Sequence, residues 1–183
     1  MIVTKKAIGI ILHGALYYLS WIACVYFAHR EAPWTGPLLT LFLLLIQALW
    51  EKVNGVNLAR PLLFTLCFGV LGAVVDSVWL WAGLIVYKAN PWAPYVAAPW
   101  IIALWLSFAF YLIVTYETLF TYYKTVGFLA LTGVPIAYWL GVKIGAALPL
   151  HPWFYIILGC FWAMALPLSL WVYHARIQSA PQW

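Results

Sequence analysis

Asp76 stands inside the apolar run PLLFTLCFGVLGAVVDSVWLWAGLIVY, residues 61–87, a stretch long enough to cross a bilayer. A carboxylate at membrane depth costs about 2.5–3.5 kcal/mol on insertion scales, so such a residue turns towards a bundle interior or a watered cavity. There it can carry a proton, act as a general acid or base, or contact a substrate. It can equally lock helices together by hydrogen bonding, with no chemistry at all. Gly69, Asp76 and Gly83 recur at intervals of seven, with Gly72 and Ala73 between them, so they share one helical face. Small residues let a neighbouring helix approach closely, which places the acid inside that contact.

The remaining polar groups gather into stripes at helical spacing. His13, Tyr17, Ser20 and Cys24 form one, Thr40, Gln47, Glu51 and Asn54 a second, and Ser107, Tyr111, Thr115 and Thr118 a third. Lipid cannot satisfy their hydrogen bonds, so the stripes are expected to face inward. By depth, Tyr17, Ser20, Ser107 and Tyr111 are the expected partners of Asp76. Glu51 and Glu117 fall near helix ends. One reading pairs them with Lys52, Arg60 or Lys124 as interfacial charges. The other makes them a shared acidic pocket with His13 a turn or two deeper. At the rise of an α-helix Glu51 lies about 20 Å from Asp76 along the membrane normal. The two acids are therefore no dyad, and a relay between them needs water or Tyr17 and His13.

Other chemistry finds little support. His13, His29, His151 and His174 never recur at i,i+3 or i,i+4 and there is no HExxH, so no metal site is expected. Bis-histidine haem would need His13 and His174 to meet, and nothing else points there. Cys24, Cys67 and Cys160 lie in apolar runs without a CxxC pair and read as small core residues. Lys143 is expected to snorkel outward along Trp139, whereas a Schiff-base lysine wants deeper burial. There is no nucleophile elbow, phosphate loop or dinucleotide fingerprint, so no cofactor is expected. Catalysis by a scattered intramembrane acid is left open.

These side chains need elements to position them, and the composition says what kind. The chain has 183 residues, 67% of them hydrophobic and 7% charged. A soluble domain carries about 25% charged residues, so the solvent here is lipid. At about 20 apolar residues per span, six segments emerge, at residues 7–28, 37–50, 61–87, 96–117, 125–147 and 153–173. The second is short before Glu51 and is expected either to extend into the polar turn or to cross with little tilt. Pro135 and Pro167 interrupt the fifth and sixth, freeing carbonyls that a partner or water must satisfy. The reading is an all-α integral membrane protein, one domain over residues 1–183, a bundle of about six transmembrane helices.

Charge sets its orientation. With the N-terminus in the cytoplasm, that side holds Lys5, Lys6, Lys52, Arg60, Lys124 and Arg176, against Arg30, Lys88 and Lys143 outside. The positive-inside rule then places both termini in the cytoplasm. Residues 7–28 exceed a secretory h-region and lack a small-x-small cleavage site, so they are expected to remain as the first span. The net charge of +5 fits this bias, and no basic cluster interleaved with aromatics suggests nucleic acid. Trp34, Trp50, Trp92, Trp100, Trp153 and Trp171 mark interfaces. Trp79, Trp105, Trp139 and Trp162 lie deeper and either pack the bundle or line a cavity for a flat or chain-like apolar ligand.

The WEKVNG turn, the ARP start of the third segment, and its GxxGxxxDSxW core (Gly69, Gly72, Asp76, Ser77, Trp79) carry a resemblance. The chain is similar, over nearly its whole length, to a family of small multispanning bacterial inner-membrane proteins defined by a domain of unknown function. Members are often encoded near genes similar to cyclopropane-fatty-acid synthase and flavin amine-oxidase-like desaturases. The resemblance implies a part in modifying membrane acyl chains and brings no catalytic residues with it. Three functions follow as expectations. The first is a lipid-binding or accessory component that holds membrane lipid or seats lipid-modifying enzymes. The second is a proton-coupled small transporter or lipid translocator using Asp76, which would need a homo-oligomer because six helices leave little room for two gated pathways. The third is an intramembrane lipid-modifying enzyme using Asp76 with Tyr17, His13 or Glu117.

Overall fold

The computed structural model describes the backbone of residues 2–119 and 122–178, and the side chains of residues 5, 7–116, 122 and 124–175. Six helices follow one another: α1 (Ile2–His29), α2 (Thr35–Val53), α3 (Ala59–Trp81), α4 (Pro99–Leu119), α5 (Tyr123–Ile144) and α6 (Phe154–Val172). Each contains a segment long and apolar enough to cross a membrane, so the chain has the build of a multi-pass membrane protein. As expected, α2 extends past the apolar run into the polar turn.

Two of the boundary differences from the sequence reading belong together. The third helix stops at Trp81 rather than continuing to residue 87, and the fifth stops at Ile144. Gly83 and Gly145 adopt φ of +65° and +91°, a left-handed turn that ends a helix and that glycine enters without a Cβ penalty. The residues beyond pair as a short antiparallel ribbon, β1 (Ile85–Tyr87) with β2 (Ala147–Pro149), in the register Ile85↔Pro149 and Tyr87↔Ala147. The all-α expectation of about six helices holds, with this short ribbon as the one addition among the described residues. Residues 84–87 are as apolar as a helix, and the ribbon lets their backbone find partners without one. Gly83 therefore lies beyond α3 and not on the face of Asp76.

Consecutive helices pair as hairpins, α1 with α2, α3 with α4 and α5 with α6, and α4 sits centrally against α1, α2 and α3. The α3–α4 contact is built on glycine. A Cβ at Gly72 would collide with the Trp105 ring, and one at Gly69 with the Leu106 side chain. Across the contact, Trp105 stacks on Trp162 of α6 at 4.3 Å between centroids, and Phe68 of α3 lies 5.6 Å from Trp162.

The α5–α6 hairpin uses its prolines reciprocally. Proline removes the N–H that would bond the carbonyl four residues earlier. Pro135 thus frees the Leu131 carbonyl, and a Cβ on Gly159 would sit 2.7 Å from that oxygen. Pro167 frees the Ala163 carbonyl, and a Cβ on Gly127 would sit 3.0 Å from it. Each freed carbonyl faces a glycine eight residues before the other helix's proline.

Candidate functional site

Asp76 is 1% exposed, inside the α3–α4 contact that the glycine spacing anticipated. It is not near mid-span, however. Only five residues separate it from the end of α3 at Trp81, about 8 Å at the helical rise. It sits towards the ribbon end of the bundle.

Its hydrogen-bond partners come from three different elements. Tyr87 on β1 donates its hydroxyl to Oδ1 at 2.5 Å, and Trp105 Nε1 on α4 donates to Oδ2. Tyr138 on α5 donates to Oδ1 at 2.7 Å and Oδ2 at 2.8 Å. Indole N–H can only donate, so Oδ2 is held as an acceptor. The ribbon explains how Tyr87 arrives. Ending α3 at Trp81 allows the chain to double back and bring residue 87 level with residue 76. Ser77 reinforces the turn, because its hydroxyl accepts the Ala97 N–H at 2.9 Å.

The expected partners of Asp76 are not these. Tyr17 stacks on Tyr111 with ring centroids 5.2 Å apart and planes 5° from parallel. Ser20 donates to the Leu16 carbonyl of its own helix at 2.9 Å. Ser107 Oγ is buried with no hydrogen-bond partner among the described residues. Sequence reasoning missed Tyr87 and Tyr138. Tyr87 was hidden by the assumption of a continuous helix, and Tyr138 is one of 12 tyrosines with no local mark. Trp105 was visible only as a deep aromatic.

The three donors also line a cleft, although Asp76 itself does not. The cleft encloses about 620 Å³, within the range of small-molecule sites. Its walls are α1 from Tyr17 to Val25 and α5 from Val126 to Gly141, and its floor is α4 from Trp100 to Leu112. Rim residues Tyr18, Ile22, Leu129 and Ile136 are exposed on the outer surface of the bundle. The cleft therefore opens sideways rather than to either end. Tyr87 and Ala147, a ribbon pair, line its ribbon end. Among the described residues that line it, none is charged. Of the deep tryptophans, only Trp105 lines it. Trp162 packs on Trp105 and Trp79 on Phe161, while Trp139 lies outside under Lys143, whose Nζ is 5.5 Å from the ring centroid.

A second polar group joins α1 to α2. Buried His13 lies 2.7 Å from Glu51 Oε1 through Nε2 and 3.2 Å from Gln47 Oε1 through Nδ1. The contact sets Glu51 directly beside His13. The Glu117 side chain lies outside the described residues, so the shared pocket is not described. Gln47 and Glu51 are four apart on α2, one turn, which is why both reach the same imidazole. Thr40 on the same stripe contacts Cys24 at 3.2 Å. Among the described residues no group of three or more His, Cys, Asp or Glu side chains is placed to hold a metal.

No curated protein and no solved structure matches the chain. A family profile described as "Protein of unknown function (DUF2878)" matches residues 10–168, which include the Asp76 cluster, its three donors, the cleft and the His13 group. Spanning most of the chain, that match shows that the protein belongs to the DUF2878 family.

Proposed function

We propose that the protein is a lipid-binding membrane protein that draws a hydrocarbon chain sideways from the bilayer into the cleft between α1 and α5. In this reading it serves as an accessory of membrane acyl-chain modification, presenting or storing a chain for enzymes that act on it. It sits in a bacterial inner membrane with both termini in the cytoplasm, the orientation its lysines and arginines favour. The observation that carries the reading is the cleft itself, whose aromatic and aliphatic walls open on the face a bilayer would cover. An acyl chain loses nothing in moving from lipid to such walls, so shape and packing govern the binding. Asp76 supports it as a positioning residue, since Tyr87, Trp105 and Tyr138 line the cleft and all bond to its carboxylate.

The test is photolabelling in phospholipid nanodiscs with an octadecyl chain bearing a mid-chain diazirine. Adducts are expected on the cleft walls of α1 and α5. Gly133 lines the cleft, and a Cβ there meets nothing within 4 Å. Gly133→Phe should therefore fill the space and abolish cleft adducts while those on the outer face of α2 persist. Labelling spread evenly over all exposed helix faces, and unchanged in Gly133→Phe, would refute the reading.

A further inference from the structure

We propose that the occupant of the cleft is an uncharged, single-chain, long-chain alcohol, with its hydroxyl at the Tyr87–Tyr138 end and its chain running between α1 and α5. This rests on the cleft being a hydrocarbon-chain site and narrows the occupant to one chemical class.

The hydrogen-bond inventory at the ribbon end selects the polar group. Tyr87, Trp105 and Tyr138 each direct their proton at Asp76. Indole nitrogen has no acceptor left, but each phenol oxygen still has a lone pair to offer. What this end of the cleft presents to a ligand is therefore acceptors without donors. A ligand O–H satisfies them. A ketone, aldehyde, ester or ether oxygen, which only accepts, would face oxygen lone pairs.

Charge and length select the rest. With no cation among the described lining residues and Asp76 directly behind them, a phosphate or carboxylate has no counter-charge there. Tyr138 lies six residues inside the end of α5, and the cleft continues from it to Val126. At the helical rise these are about 9 Å and about 18 Å. The chain would then end about 27 Å below the ribbon-side end of α5, beyond the midplane of a hydrocarbon core of about 30 Å. A phospholipid held at the ribbon-side headgroup level sends its chains only about 15 Å, half that core. Tyr87 and Ala147 line the ribbon end of the cleft, which puts the polar group at that end. Tyr17 and Tyr111 stand near the middle of their helices, where the hydrocarbon passes them.

The experiment is displacement of the octadecyl diazirine probe from the full chain in nanodiscs. The competitors are 1-octadecanol, octadecanal and methyl octadecyl ether, with 1-decanol for length. The alcohol should displace cleft adducts at about 3- to 10-fold lower concentration than the aldehyde or ether, the range one net hydrogen bond supplies. It should also outcompete decanol. The Tyr87→Phe Tyr138→Phe double variant should bring alcohol and ether to parity while still taking the probe. Ether or aldehyde competing as well as alcohol on the wild-type protein overturns the proposal. So does a double variant that melts like wild type and keeps the full preference. These failures leave probe labelling intact and so leave the hydrocarbon-chain reading standing, whereas absence of cleft labelling removes both.

Discussion

Tyr138 on α5 donates to both carboxylate oxygens of Asp76 on α3, at 2.7 and 2.8 Å, across 62 residues of sequence. The same phenol lines the cleft. One side chain thus couples the buried acid to the wall a ligand would touch, and ties the α5–α6 hairpin to the helices around α4.

Removing the acceptor should therefore cost more than removing any one donor. Asp76→Leu leaves three donors without an acceptor, and each that stays buried costs about 1–3 kcal/mol. Asp76→Asn keeps one carbonyl oxygen and should lose less. Thermal unfolding in detergent or nanodiscs should rank the melting temperatures wild type, Asn, Leu. A Leu variant as stable as wild type would show that the three bonds do not hold the bundle.

The glycine face of α3 makes a second ranking. At Gly72 a Cβ meets the Trp105 indole, a rigid ring already bonded to Asp76 and stacked on Trp162. At Gly69 it meets the far end of the flexible Leu106 side chain. Gly72→Ala should destabilise by about 1–3 kcal/mol, as overpacking does, and Gly69→Ala by less. Equal losses in equilibrium unfolding would argue against Trp105 as the rigid element.

Three glycines on the α5–α6 hairpin should respond with different signs. Gly159→Ala drives a methyl to 2.7 Å from the Leu131 carbonyl, and Gly127→Ala to 3.0 Å from that of Ala163. Both should destabilise, Gly159→Ala the more. Gly133→Ala meets open space, and replacing a mid-helix glycine should stabilise by about 0.5–1 kcal/mol. Denaturation of the three variants in one micelle system checks the order. A loss at Gly133 equal to that at Gly159 would refute the reciprocal-contact account.

His13 and Glu51 should be energetically coupled. Their 2.7 Å contact joins a 2% exposed side chain to a 16% exposed one, shielded enough for the pair to exceed a surface ion pair. A double-mutant cycle with His13→Ala and Glu51→Ala should return a coupling of about 0.5–3 kcal/mol. Additive losses would mean that each residue packs independently, with Gln47 alone orienting the imidazole.

Much of the architecture was determined by residue order alone. Spans of about 20 apolar residues broken by Asn-Gly and proline turns read as helices, because in lipid a spanning segment outside a closed barrel satisfies its backbone no other way. The Gly69–Gly72–Asp76 spacing put the acid inside a close helix contact, and Trp105 of α4 is that contact. The one-turn spacing of Gln47 and Glu51 likewise put two acceptors on one face of α2, where His13 meets them.

Only the tertiary structure decided which side chains reach Asp76. A stretch such as residues 82–87 is apolar enough for helix or strand, and composition does not distinguish them. Its pairing with residues 147–149, some sixty residues away, ended α3 early, moved Asp76 towards one end and delivered Tyr87. Tyr138 depends on how the α5–α6 hairpin docks, a matter of Gly–Pro backbone approach and of Trp162 stacking on Trp105. Such long-range contacts leave no periodic trace in the sequence, because periodicity records which face of a helix is buried and not what lies against it.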